Sequence, residues 1–250
     1  MRKLLATIFL FFSITSTTFA VTTTFFPDPN PETTSTDGRA EQGGGAGLSW
    51  TAITVGSGSG ADSSTASQVS PYLFGEAAAN TWSTMRRTFF LFDTSAIGAG
   101  ATVSSSTFSF NATAKVDNAT LNQSIAIVGA STTLNTSIAI ADYALTASAT
   151  QRYSPDVDLG LISTTGYSHF LLNSDGLNNV SLTSITKIGV RFHSEVNRVE
   201  PTWVASNSNV TIDHAETAGT ATDPKLVVTY TAAAAASSPS IESDFWPWEE

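Results

Sequence analysis

Along much of this chain apolar and small polar residues alternate. In residues 107–113, Phe108, Phe110 and Ala112 share one parity, while Thr107, Ser109, Asn111 and Thr113 share the other. A period of two predicts a strand with one face buried and one face wet. Residues 186–193 repeat the pattern, with Ile188, Val190 and Phe192 predicted inside and Lys187, Arg191 and His193 outside. Val157, Leu159 and Leu161 alternate with Asp156, Asp158 and Gly160, and residues 167–172, 210–213, 225–231, 22–26, 49–55 and 124–128 read as further strands. Gly, Asn, Asp and Pro turns separate them, as in the IGAGA run at 97–101. Residues 140–145 are the one predicted helix, and 27–48 and 56–70 read as long loops.

Residues 86–93 break the alternation. Phe89 and Leu91 lie on one face and Phe90 and Phe92 on the other, so both faces are apolar. Such a strand belongs at the centre, its second face covered by a loop or a short helix; the alternative is an exposed aromatic patch that binds something. Arg87 and Asp93 share a parity within it, and an unpaired charge there would be costly, so Arg87 is expected to meet buried carbonyls or a counter-charge.

Composition sharpens this picture. Only 13% of the 250 residues are charged, and Ser and Thr abound where helix surfaces would carry Glu, Lys and Arg. Thr, Val, Ile and Phe suit pleated strands. The expected fold is therefore all-β, an antiparallel β-sandwich or barrel with a hydroxyl-rich surface.

The ends read differently. Arg2 and Lys3, an apolar run at 4–14 and Thr18-Phe19-Ala20 have the form of a signal peptide over residues 1–20, too short in its apolar part to span a bilayer. The domain is expected over 21–231, an Ala/Ser/Pro linker over 232–240, and an acidic aromatic tail with Phe245, Trp246 and Trp248 over 241–250. A secreted or cell-surface protein without stable membrane insertion follows from the signal peptide. The tail reads either as disordered or as a docking peptide.

Net charge is −10, and −12 without residues 1–20, which hold two cations and no acid. That excess repels phosphate backbones and argues against nucleic acid as a partner. The absence of cysteine excludes disulfides, thiolate nucleophiles and Cys-ligated zinc.

The string Arg87-x-x-x-Leu91-Phe92-Asp93-Thr94-Ser95-x-Ile97, then Gly100-Ala101-Thr102-Val103 and an alternating Ser-rich strand, resembles the DNRLRE-type jelly-roll modules of secreted and cell-surface microbial proteins. "FLLNSDGLNNV" before "ITKIGVRF", and "DPKLVVTY" as a closing strand, fit the same pattern, which covers roughly residues 25–230. The resemblance implies jelly-roll topology, kinship with carbohydrate-binding modules, and an adhesive or glycan-binding role. It implies no catalytic residues.

Catalytic constellations are weak. His169, His193 and His214 lie on separate segments without close metal spacing, and "GSGSG" at 56–60 places Gly58 where a nucleophile elbow needs Ser. Asp156 and Asp158, or Glu195 and Glu200, would serve a glycosidase only if they faced each other across a cleft. A structural calcium is the one cofactor expected, held by Asp28, Asp37 and Asp93 if the fold brings those loop and strand ends together. Asn-x-Ser/Thr triplets at Asn111, Asn118, Asn122, Asn135, Asn179 and Asn209 matter only in a host that glycosylates them.

Sugar binding needs rings to cover the apolar face of a pyranose, with amides and hydroxyls for its polar edge. Trp50, Tyr72, Trp82, Tyr153 and Trp203 are the candidates, each weighed against simple core packing. The expected role is a secreted, non-catalytic module recognising polysaccharide at a cell surface or in extracellular matrix. The alternative is a structural or adhesion subunit of a surface layer, appendage or particle that contacts surface protein.

Overall fold

The computed structural model describes residues 19–45 and 47–234. Residues 1–18 of the expected signal peptide, most of the expected linker and the whole tail at 241–250 lie outside the described residues.

The strands are β1 (Ala20–Phe25), β2 (Asp37–Gln42), β3 (Gly60–Asp62), β4 (Ser67–Gly75), β5 (Trp82–Asp93), β6 (Thr102–Val116), β7 (Ser124–Gly129), β8 (Val157–Asp158), β9 (Tyr167–Leu171), β10 (Ile185–Phe192), β11 (Asn207–Asp213) and β12 (Lys225–Thr231). The helices are short: α1 (Trp50–Val55), α2 (Asp142–Thr146), α3 (Ser174–Asn179) and α4 (His193–Asn197). All pairings between strands are antiparallel, in the order β1-β12-β6-β11-β4-β5-β10-β7-β8, with β2, β3 and β9 joined off this path. The fold is an all-β sandwich of jelly-roll type, formed by one sheet that curls back on itself. Among the described residues no helix is long and apolar enough to cross a membrane.

Strand β5 is where the sheet forks. β2 runs along residues 85–90, while β4 and β10 divide the opposite edge, β4 taking 82–86 and β10 taking 88–93. The curl brings β5 over β6, strands that are not neighbours in the sheet. Phe90 meets Phe108 with ring centroids 5.2 Å apart, and Phe108 and Phe110 stack in turn on Phe170 of β9. Edge-on and offset contacts of this kind add about 0.5–1.5 kcal/mol each beyond the area they bury. The other face of β5 lies under short helices, as its two apolar faces require: Arg87 reaches backbone carbonyls of Thr54 in α1 and Tyr143 in α2.

Several expectations are corrected. Residues 49–55 form helix α1 rather than a strand. Ser49 caps it, its hydroxyl accepting the Ala52 N–H at 3.2 Å, and Trp50, Ile53 and Thr54 are buried at helical spacing. The apparent strand around 157–161 lasts two residues. The Asp158 carboxylate then accepts the Gly160 N–H at 2.7 Å and starts a 3-10 turn that leaves Leu161 exposed. Arg191 points inward, not outward, at 1% exposure. The loops at 27–48 and 56–70 hold β2, β3 and the start of β4.

Gly58 shows how one loop is fixed. Its φ is +85°, and a Cβ would stand 2.4 Å from the Ile140 carbonyl and 3.0 Å from Cβ of Tyr143. Gly58→Ala is expected to destabilise the fold by about 1–3 kcal/mol through left-handed strain and crowding of α2, read from the urea midpoint at unchanged m-value.

Candidate functional site

The alternation of β4 puts Tyr72 and Phe74 on one face, with Leu73 buried on the other. Residues directly opposite in antiparallel strands share a face. Tyr72 stands opposite Arg86 of β5 and Asn209 of β11; Phe74 stands opposite Thr84 and Asn207. Arg86 is in turn opposite Glu41 of β2. The result is a ribbon running Glu41–Arg86–Tyr72–Asn209, with Thr84–Phe74–Asn207 beside it. Neighbouring strands lie about 4.8 Å apart, so the four-strand row spans roughly 14 Å.

All of these side chains are half-buried except Asn209, which is 8% exposed. The Tyr72 and Phe74 rings lie 6.3 Å apart at 40°, and the Arg86 guanidinium sits 5.0 Å from the Tyr72 centroid. Arg86 is held by the Glu41 carboxylate at 2.6 Å and the Val69 carbonyl at 3.1 Å. Burial raises the Glu41 carboxyl, but hydrogen bonds and charge from Arg86 and Arg39 outweigh it and keep the group ionised. Burial raises the Tyr72 phenol against the opposing charge of Arg86, so it remains an O–H donor. Asn209 donates to the Asn207 side-chain oxygen at 2.6 Å, aligning two amides beside the rings. Rings, amides, a guanidinium and a carboxylate thus share one face.

The other predicted aromatics do not join it. Trp82 is fully buried and Trp50 is 8% exposed. They pack edge to face at 5.3 Å, and Trp82 donates its indole N–H to Glu200 at 2.8 Å. Both are core residues and offer no open ring face, a correction to their expected role. Trp203 is half-buried over Gly75 and donates to the Thr81 carbonyl at 3.1 Å. Tyr153 is half-buried against Gly129 and Gly176, its hydroxyl donating to Asn179 at 3.2 Å. Phe74 was missed by sequence reasoning, although the alternation Tyr72-Leu73-Phe74 was there to be read.

The predicted calcium ligands part company. The Asp28 carboxylate is occupied by its own loop, accepting from Thr33, Thr34 and Ser35. These bonds overcome burial and pull its pKa down to about 2. Asp93 is half-buried and accepts the Ser95 N–H at 3.0 Å. Asp28 and Asp93 do line one cavity of about 720 Å³. Asp37 is fully buried and accepts the Ala215 N–H at 3.1 Å. Among the described residues no three His, Cys, Asp or Glu side chains are placed to hold one ion.

The titratable residues weighed for catalysis make the following contacts. His169 hydrogen-bonds Ser109 at 2.8 Å, His193 accepts the Ser124 N–H at 2.9 Å, and His214 stacks on Phe90. Asp156 pairs with Arg152, Asp158 caps its turn, and Glu200 holds Trp82.

Glu195, from α4, is the centre of a buried ionic group. Its carboxylate meets Arg87 of β5 and, at 2.9 Å, Arg191 of β10. Burial raises its pKa, but the two guanidiniums more than offset that and leave it below the ordinary value. Arg87 also donates to Tyr143 and Thr54 carbonyls and lies 3.7 Å from the Tyr143 ring centre; Arg191 donates to Thr146 and Ala149 carbonyls at 2.9 and 2.7 Å. The sheet thereby caps the carbonyl ends of α1 and α2, which at this length would not hold alone.

A scan against protein-family models found no match, and a search of curated proteins found none either.

Proposed function

We propose that this chain is a secreted, non-catalytic module that binds polysaccharide at a cell surface or in extracellular matrix, along the Tyr72–Phe74 ribbon. The observation that carries the reading is the shared face: two adjacent rings flanked by paired amides, a guanidinium and a carboxylate. Rings cover the apolar face of a pyranose, while fixed polar groups meet its hydroxyls. The Glu41–Arg86 pair holds the ribbon in place before ligand arrives, which lowers the ordering cost of binding.

Affinity electrophoresis against a broad set of plant, algal and microbial polysaccharides tests it. Tyr72→Ala is expected to weaken retention about tenfold or more, equivalent to some 1.4 kcal/mol or more, with the fold intact by circular dichroism. Phe74→Ala should do the same, and Trp203→Ala much less. Failure of the unaltered protein to bind any polysaccharide would overturn the proposal. Loss of self-association in Tyr72→Ala, seen by size exclusion, would instead favour the structural-subunit reading.

A further inference from the structure

The strands β9-β6-β11-β4-β5-β10-β7-β8 form a ring with one pairing missing. β9 pairs with β6 and β8 with β7, and among the described residues neither has a second strand partner. Their free edges flank a groove of about 390 Å³. Pro155 and Val157 line it from the β8 side, Phe170, Leu171 and Leu172 from the β9 side. One end of this seam is shut by the Asn173 N–H, which donates to the Tyr153 carbonyl at 2.8 Å.

The β9 edge is a template for a further strand. The Leu172 N–H donates to the Ser106 carbonyl of β6 at 2.9 Å. Backbone groups alternate in direction along a strand, so those of Ser168 and Phe170 also face β6, while those of Tyr167, His169 and Leu171 face the seam. Sheet edges are ordinarily guarded by lysine, proline or a bulge. Tyr167–Leu171 carries no lysine, proline or acid, and Leu171 is 64% exposed.

The chain itself holds a matching segment. In residues 241–250 the run Phe245-Trp246-Pro247-Trp248 lies between Glu242 and Asp244 on one side and Glu249 and Glu250 on the other. In an extended conformation Trp246 and Trp248 share a face and turn their N–H groups to one edge, while Pro247, which has none, falls on the other edge. Four extended residues cover roughly 13 Å, the length of the stretch 169–172 that lines the groove.

Reach allows the contact within one chain. Thr231 stands opposite Thr102 at the start of β6, and a Cβ on Gly100 would lie 3.1 Å from Cβ of Ala233, so the chain leaves β12 at that end. Leu171 stands opposite Thr107. The groove is thus five residues along β6, roughly 17 Å, and two strand spacings across, roughly 10 Å. From Ala234 to Phe245 the chain can span up to roughly 36 Å. A hollow between Thr102 of β6 and Leu177 of α3 lies on the way. A short tether raises the effective concentration to the order of mM, which favours a chain's own tail over that of a second copy.

We infer that the segment around Trp246 docks in the β8–β9 groove of its own chain and completes the ring as an added strand. Main-chain bonds to β9 supply affinity, and the apolar groove selects the two indoles.

Hydrogen exchange tests this by comparing the full chain with its Trp246→Ser, Trp248→Ser double variant. The His169 and Leu171 amides are expected to exchange at least about tenfold more slowly in the unaltered chain, as for a bonded amide against an open one. The Phe170 amide, bonded to β6, should be the same in both. A fluorescent peptide of residues 241–250 is expected to bind the double variant and not the unaltered chain. Leu171→Glu, added to the double variant at an exposed position that spares the core, should weaken the peptide at least about tenfold. Equal exchange at His169 and Leu171, no peptide binding to the double variant, or indifference to Leu171→Glu would overturn the docking. Protection that grows with protein concentration would assign the groove to the tail of a second copy and overturn the intramolecular form.

Discussion

Replacing Glu195 by glutamine is expected to destabilise the protein by about 3–5 kcal/mol, the cost of removing one partner from a buried ion pair. The substitution preserves volume, so packing is not the cause. It leaves the guanidiniums of Arg87 and Arg191, each 1% exposed or less, without a counter-charge. Neither arginine can swing out to water, because each is tied to backbone carbonyls: Arg87 to Thr54 and Tyr143, Arg191 to Thr146 and Ala149. The damage should reach α1 and α2, whose ends those bonds secure. Urea denaturation gives the magnitude, and hydrogen exchange at residues 50–55 and 142–146 gives its location. Arg87→Met should be comparably severe, since it also orphans two carbonyls. A loss below about 1 kcal/mol in Glu195→Gln, the size of a surface pair, would show that the group is not a buried ionic centre.

The melting temperature is expected to fall as pH rises from 6.5 to 8. Burial, reinforced by Glu216, raises the Asp37 carboxyl well above its usual range. Burial, with Glu32 and Asp62 nearby, raises Glu216 to about 7; burial and Asp213 raise Asp223 to about 6. The Asp37 Oδ1, both Glu216 oxygens and the Asp223 Oδ1 are buried without a hydrogen-bond partner. A carboxyl whose pKa rises on folding keeps its proton after the unfolded chain has lost it. Its stabilising share is complete below the unfolded value and disappears as pH climbs through the folded one.

His214 works against this at lower pH. It is buried with neither ring nitrogen bonded, between the charges of Asp62 and Arg39, and burial depresses it to about 3. Its share is therefore lost as pH drops below the ordinary histidine value of 6.5. Above 6.5 the carboxyls act without that opposition. Asp28 and Glu195, whose pKa values are lowered, weaken the fold only in strong acid. The expected fall from pH 6.5 to 8 is about 3–6 °C, given some 2–4 °C per kcal/mol for a chain of this size. Asp37→Asn should flatten it, because the amide oxygen keeps the Ala215 N–H while removing the ionisation. A melting temperature that is level or rising over this interval would contradict the account.

How much of this was legible beforehand depends on what each residue type signals. The strands around Phe108, Val190 and Leu226 were readable because one face is apolar and the other is not. Strand β2 was not: in Asp37–Gln42 only Ala40 is apolar, and its register is set by pairing with β5, not by a greasy face. Helix α1 was read as a strand from its Thr, Ile and Val. The Ser49 cap and the spacing of Trp50, Ile53 and Thr54 overrode that propensity. Arg191 was placed outside by its charge, and nothing local announces that Glu195, one helical turn on, follows it into the interior.

The site was half visible. Tyr72 was one of the five ring candidates, but its neighbours Arg86, Asn207 and Asn209 become neighbours only through long-range register. Trp50 and Trp82 were misjudged for the opposite reason. Indole rings attract notice as platforms, yet their apolar area draws them just as strongly into a core.

Among the described residues strand β1 has one neighbour, β12, with Ala20 opposite Thr231 and Phe25 opposite Leu226. Tension applied between Val21 and Tyr230 would load that ladder rung by rung, as a zipper, whereas a pull along the strands would shear every rung together. β12 is anchored on its far side by β6, so β1 detaches first and the aromatic layer behind stays intact. Under such a load the first strand is the part of the sheet expected to yield first.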